Sequence, residues 1–405
     1  MAKIKLPKWL DEIWGKCNRG ETVFRRFRKT IVVEANPSPS YTRTSKQDRV
    51  RRAYRYALDD YRKLSPEQRE VYKLKGYRFN LPAYQMYMKE RIPFYLRILD
   101  YYKVIIDNSN NGNDLTDFQV LLSVNNDSEF FSTIENKTYI EVYDEDGKTL
   151  LPFWIELWDE TNYNAKIWIK VPLIKANSVK TIFLVANKDR TVSLSNGRDV
   201  FIAFDDFEYE DDPTNHGWKW IVKGTDDSFL TTNETARHGS RCAKMIDNST
   251  DKLPLIVLEF PTQYSTFIAE IYAKVPDVML AHHNVFYDKN GATAEWGKNQ
   301  TIYHVFKSNG YLTWYDTEYH DYMPYETNKW YDFKLVIKPH IQRYDIYVDG
   351  ELKVTDAVFR VLSDNVAQIG IAGAGTSATG YFYVDLFKVR KFADPEPTVT
   401  YSKIK

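Results

Sequence analysis

Cysteine is almost missing from this chain of 405 residues: Cys17 and Cys242 are the only two. They lie in different parts of the chain, so neither a disulfide framework nor a thiolate metal site is available, and stability must come from packing. Long apolar runs are missing too. The most apolar stretch, residues 150–158, is interrupted by Glu156, so nothing reaches the roughly 18 residues that a membrane span requires. The N-terminal MAKIKLPKWLDEIWGK opens with positive charge but carries no apolar segment behind it, and classical secretion is not expected. Neither a low-complexity tract nor a repeat of fixed period occurs. An overall excess of charge is absent as well, with 55 basic and 55 acidic residues, which taken alone argues against a nucleic-acid binder.

That balance hides a division. Residues 1–100 hold 24 basic and 11 acidic residues, thirteen positive charges in excess, and the remainder holds 31 and 44, thirteen negative in excess. The two parts must face different surroundings. Aromatic residues are abundant, with 30 Tyr, 22 Phe and 10 Trp, a composition that excludes a disordered chain and supplies flat, amphipathic area for strands, interfaces and sugar faces.

Residues 45–63 place Val50, Ala53, Tyr54, Ala57, Leu58 and Tyr61 at helical spacing. Ser65-Pro66-Glu67-Gln68 reads as a capping box, and Leu81-Pro82 opens a third helical stretch. Near residue 98 the period changes from 3.6 to 2. Short alternating segments at 102–106, 118–124, 139–143, 154–158, 167–171 and 181–185 predict one β-sandwich. A second series runs from about 198, its clearest hairpin turn being Asp349-Gly350. The expected fold is mainly β: a small, basic, mostly helical module at 1–97, a β-sandwich at 98–198, a second sandwich at 199–395 and a tail at 396–405.

Leu115-Thr116-Asp117-Phe118-Gln119-Val120, Leu151-Pro152-Phe153-Trp154-Ile155-Glu156 and Ile167-Trp168-Ile169-Lys170-Val171-Pro172 resemble a family of β-sandwich domains of unknown function. That family recurs beside lectin-like domains in archaeal and bacterial surface proteins and brings no accepted catalytic residues. The opening Phe204-Asp205-Asp206-Phe207-Glu208, the segment Asn328-Lys329-Trp330-Tyr331-Asp332-Phe333, the hairpin YDIYVDGELK and the final strand Tyr383-Val384-Asp385-Leu386-Phe387-Lys388-Val389 resemble concanavalin A-like, laminin-G-like jelly rolls. These are usually glycan or adhesion modules and sometimes glycoside hydrolases. The hydrolase branch carries a Glu-x-Asp-x-x-Glu pattern, because retaining chemistry needs an acid and a nucleophile about 5 Å apart. Here Glu270 has no acidic partner two or four residues on, so no enzyme is expected. Pieces of residues 51–88 are similar to a helical motif of phage and archaeal virus structural proteins.

The jelly-roll resemblance implies a structural Ca²⁺ held by Asp205, Asp206, Glu208 and Asp385, against the plainer reading that these acids cap strand ends. From Tyr311 to Phe333, nine of 23 residues are aromatic. Trp330, Tyr331 and Phe333 suit the core, whereas Trp314, Tyr315, Tyr319 and Tyr322, with Asp321, suit a glycan face: rings for C–H faces and carboxylates for hydroxyls. An oligomer interface would use the same residues. His282-His283 cannot chelate one metal on a strand, where neighbours point to opposite faces. Gly370, Gly373, Gly375 and Gly380 precede a strand, so they mark a bend rather than a phosphate loop. Arg25, Arg26, Arg28, Arg51, Arg52 and Arg55 are expected to dock onto an acidic partner, with nucleic acid the weaker reading. Five glycosylation sequons, at Asn126, Asn136, Asn233, Asn248 and Asn299, all fall in the acidic part.

Together these features lead to a non-enzymatic structural or adhesion protein on a virion surface, a decoration, turret or fibre component. It would be docked to other virion or surface proteins through residues 1–97, assembled as an oligomer, and present a glycan-binding sandwich to the host. A virion component reaches the outside without a signal peptide, which reconciles exterior-type domains with this N-terminus. The alternatives are an extracellular or cell-surface carbohydrate-binding protein and, further off, a concanavalin A-like glycoside hydrolase.

Overall fold

The structure, a computed structural model, describes residues 45–375 and 378–404, together with the backbone of the strands Lys3–Ile4, Gly15–Cys17, Thr22–Phe27 and Thr30–Ala35. Among the described residues the protein is mostly β, 44% strand and 19% helix. It divides into two units, residues 1–96 and 97–405.

In the first unit the four short strands form one antiparallel sheet, in the order first, fourth, third, second. Thr30-Ile31-Val32-Val33, four β-branched residues in succession, is the part of it that the sequence marks as extended. Helices Ser45–Lys63, Pro66–Tyr77 and Ala83–Ile98 follow. The second starts where the sequence predicts: Ser65 Oγ accepts from Gln68 N at 3.3 Å while Gln68 Oε1 accepts from Ser65 N at 2.9 Å, and Pro66 occupies the first turn. Ala53, Ala57, Met86, Tyr87 and Phe94 are buried, and Tyr87 takes Tyr61 and Tyr72 against its ring at 5.4 and 4.8 Å.

The second unit holds two sandwiches. In the first, strands Thr398–Lys403, Tyr102–Asp107, Val179–Ala186 and Ile140–Tyr143, in that order, face a sheet of Leu115–Val124, Asn164–Ile174 and Phe153–Asp159. Val104, Phe118, Leu122, Ile167, Ile169 and Ile182 fill the space between them. Residues 396–404 are therefore part of this sandwich rather than a separate tail. Thr398–Lys403 pairs over its whole length with Tyr102–Asp107, and Tyr401 Oη donates to Asp127 at 2.8 Å. The first sandwich is completed by chain that lies beyond the second.

The second sandwich packs a seven-stranded sheet, Trp218–Val222, Leu255–Gln263, Val366–Ala372, Ala281–Tyr287, Gln300–Phe306, Tyr311–Tyr315 and Tyr319–Pro324 in order, on an eight-stranded one. Phe267, Phe286, Phe306, Phe333, Tyr344 and Phe382 lie at the heart of its core. The two sandwiches join through the long strand Gly380–Lys391. Leu386 packs with Trp154, Trp168, Phe201 and Phe204. Buried Lys388 reaches Glu156 of the first sandwich at 2.8 Å and Glu270 of the second at 2.9 Å, and Arg390 holds Glu270 at 3.1 Å. Each of these charges is desolvated, so each needs its partners. Burial alone would lower the Lys388 pKa, but Glu270 and Glu156 outweigh it and hold the ammonium charged.

Candidate functional site

The pleat sorts the aromatic block into two faces. Leu312 and Trp314 alternate with Tyr311, Thr313 and Tyr315, and Leu312 is in the core, so Trp314 turns inward with it. There it stacks on His320 at 3.9 Å. Tyr322 is also turned inward, its Oη 2.6 Å from His304 Nε2. These two expected glycan contacts serve packing instead. Tyr315 and Tyr319 point outward, 4.8 Å apart, and Tyr319 is 52% exposed. Asp321 shares their face, accepting from Thr313 Oγ1 at 2.6 Å, Lys307 Nζ at 3.0 Å and Asn309 Nδ2 at 2.6 Å. Those hydrogen bonds, Thr313 foremost, hold its carboxyl below the usual range.

Residues that sequence reasoning passed over back and flank this surface. Tyr303 lies 5.8 Å from Tyr315 and 6.2 Å from Tyr319. The Arg360 guanidinium sits 5.0 Å from the Tyr315 ring and 5.3 Å from that of Tyr303. Trp296 meets Tyr303 edge-on at 6.3 Å. Behind them His282 contacts Gly373 O through Nδ1 at 2.6 Å and Tyr303 Oη through Nε2 at 3.0 Å. The carbonyl can only accept, so Nδ1 carries the proton and Nε2 accepts from the tyrosine. Period-2 alternation through residues 300–306, with Ile302 and Phe306 in the core, is the signal that could have placed Tyr303 on the opposite face. No local signal placed Arg360, which arrives from a distant loop.

His282 and His283 do lie on opposite faces. His283 points into the core, its ring 4.9 Å from His304 and 4.4 Å from Phe333. Burial depresses all three imidazoles, His282 to about 4 and His304 to about 3.

The four acids expected to hold calcium do not form a cage. Asp205 accepts from Phe207 N at 3.0 Å, Trp218 Nε1 at 2.8 Å and Tyr209 Oη at 2.9 Å. Glu208 accepts from Ser240 N, Ser240 Oγ and Arg241 N, each at 2.8 Å. Asp385 Oδ2 accepts from Arg237 N at 2.7 Å and His238 N at 2.8 Å. Ca²⁺ takes six to eight oxygens; here most of the carboxylate oxygens are committed to N–H and O–H donors. Among the described residues no three His, Cys, Asp or Glu side chains converge on a metal position. Glu208 and Asp385 hold residues 237–241, Asp385 from the last strand, while Asp205 ties its own turn to Trp218 and Asp206 Oδ1 accepts from Glu208 N at 3.4 Å. Asp385 Oδ1 is left buried without a partner, and burial pushes the Asp385 pKa up to about 7. Cys242 is a free buried thiol, raised by burial to about 12.

Of the expected docking arginines, Arg51 and Arg55 are exposed on the first helix, and Arg52 pairs with Asp48 at 3.4 Å. Arg25 and Arg26 belong to strand Thr22–Phe27, and Arg28 lies outside the described residues. No helix among the described residues is long and apolar enough to cross a membrane.

Residues 136–223 match a family described as a domain of unknown function, DUF2341. The DUF2341 match begins in the first sandwich and reaches the opening strand of the second. No curated protein matches in sequence. Among solved structures, one named sialidase is similar at 13% identity and a TM-score of 0.36, covering 57% of this chain and 20% of that one. The chain thus spans about a fifth of the sialidase. Cellulose induced protein Cip1 is similar at 13% identity and 0.35, covering 47% and 97%. The carbohydrate-binding module CBM66 of Bacillus subtilis is similar at 14% identity and 0.30, covering 43% and 96%. Likenesses of this extent carry no argument for function, which rests on the site itself.

Proposed function

We propose that this chain is a non-enzymatic carbohydrate-binding protein whose concanavalin A-like second sandwich meets the glycan at Tyr315, Tyr319 and Asp321. The carrying observation is the outward pair of tyrosines beside a carboxylate already oriented by Thr313, Lys307 and Asn309. Rings take the C–H faces of a sugar, and a fixed acceptor takes its hydroxyls. Arg360 stiffens the ring array from one side.

Binding without turnover fits the state of Glu270. Burial alone would raise its pKa, but Lys388 and Arg390 outweigh that and hold it at about 2. A carboxylate so stabilised has no proton to donate near neutral pH, whereas a glycosidase acid needs a raised pKa. The basic first unit, with Arg51 and Arg55 exposed, fits attachment to an acidic partner. In this reading that partner is another component of a virion surface.

The test is a printed glycan array probed with the full chain. A subset of saccharides is retained, and Tyr319→Ala with Tyr315→Ala lowers retention on it at least tenfold, about 1.4 kcal/mol. An array on which nothing is retained contradicts the function. Reducing sugar released from a polysaccharide panel contradicts the absence of catalysis.

A further inference from the structure

The first sandwich has an open surface depression of its own, about 700 Å³, far in sequence from the tyrosine face. One wall is the helix Ser128–Ile134, started by Asp127, whose Oδ1 accepts from Phe130 N at 2.9 Å. Helical spacing sends Phe130 and Ile134 into the core and leaves Ser128 and Ser132, four residues apart, on the side of the depression. The other wall is the turn between strands Phe153–Asp159 and Asn164–Ile174, with Tyr163 as its last residue.

Tyr163 has φ +55°. That left-handed conformation is unfavourable for most residues with a β-carbon; glycine adopts it freely and asparagine more readily than tyrosine. Asn162 and Asn164 flank it, so the turn had cheaper residues to hand. Its ring is 40% exposed and stands edge-on to Phe131 at 5.9 Å. Phe131 in turn packs on Trp158 at 4.5 Å.

The carboxylates around these rings are held in place. Trp158 Nε1 donates to Glu160 at 2.9 Å, Lys403 Nζ to Glu129 at 3.0 Å, and Lys188 to Glu135. Trp158 also lines a second depression of about 510 Å³, where Asp206 and His238 from the second sandwich meet strand Phe153–Asp159. The two spaces are linked through the Phe131–Trp158 contact, Phe131 lining the first and Trp158 the second. Volumes of a few hundred Å³ are those of small-ligand sites, which favour module junctions.

We infer that the first sandwich carries a second saccharide-binding groove, running from Tyr163 past Trp158 toward His238, for neutral or amine-bearing oligosaccharides. The exposed ring stacks on a sugar face, Ser128 and Ser132 exchange hydrogen bonds with hydroxyls, and the oriented glutamates accept from hydroxyl or ammonium donors. Uronate and sialate sugars are disfavoured, because three glutamates border the groove. The inference rests on the chain being a carbohydrate binder but places binding at a separate site.

The same array, carrying neutral, amino and uronic oligosaccharides, is probed with the full chain and with Tyr163→Gly, Glu160→Gln and Tyr319→Ala. Tyr163→Gly is expected to lower retention on neutral or amino spots at least tenfold while its melting temperature holds or rises, since glycine relieves the turn. Glu160→Gln weakens amino spots more than neutral ones. If Tyr163→Gly and Glu160→Gln leave every spot unchanged while Tyr319→Ala removes them, the groove is overturned and the tyrosine face stands. If the chain retains nothing, both fail.

Discussion

At the scale of single residues, the least ordinary feature is a set of neutral imidazoles in an apolar core. His283 and His304 face each other among Phe306, Phe333 and Tyr322, and no carboxylate is among the groups that act on them. His283 Nε2 and Tyr344 Oη are buried without partners. His282, on the other face, has Arg360 nearby to oppose its protonation. The folded-state pKa of each lies below the unfolded value of about 6.5, so the unfolded chain takes up protons first. The contribution is complete above pH 6.5 and is lost as pH falls toward about 4 for His282 and about 3 for His304. Each loss runs at about 1.4 kcal/mol per pH unit. Asp385, raised by burial to about 7, acts in the opposite sense, adding stability as pH falls below that value. Replacing one histidine should therefore be visible against the rest: between pH 6.5 and 4.5, His304→Gln is expected to lose less melting temperature than the parent chain. Parallel melting curves for the two would refute the assignment.

Elements differ in how plainly the sequence announces them. The capping box at Ser65 and the period-2 strands of both sandwiches were legible because their signals are local. Trp314 and Tyr322 could have been placed correctly as well, since Leu312 two residues before Trp314 marks the inward phase; aromatic density drew attention away from alternation. The strand Thr398–Lys403 was not legible. It is short, its outward residues are polar, and its partner Tyr102–Asp107 lies at the other end of the unit. The N-terminal strands were hidden by arginines that suit a basic helix equally well. Deleting residues 397–405 tests the returning strand, because it strips Val399 and Tyr401 from the core. Two partly buried side chains of this size are worth about 3 kcal/mol together. The truncated chain is expected to unfold at lower urea by about that free energy, and an unchanged midpoint would mean that the strand is dispensable.

For the whole molecule, the zero net charge is the sum of a basic unit and an acidic one, and the acidic one is a pair of interlocked sandwiches. Chain from beyond the second sandwich completes the first, and Lys388 and Leu386 tie the two across their junction. The Tyr315–Tyr319 face and the proposed Tyr163 groove thus belong to one unit. The arginines were only partly legible, since a charge excess marks a basic region without showing which of its residues lie on helix or strand. The central claim is that the acidic unit binds carbohydrate. Hydrogen–deuterium exchange of the full chain, with and without an oligosaccharide retained on the array, tests it most directly. Slower exchange is predicted across Tyr311–Tyr315 and Tyr319–Pro324, and for an amine-bearing ligand across Ser128–Ile134 as well. Exchange left unchanged throughout residues 97–405 would contradict it.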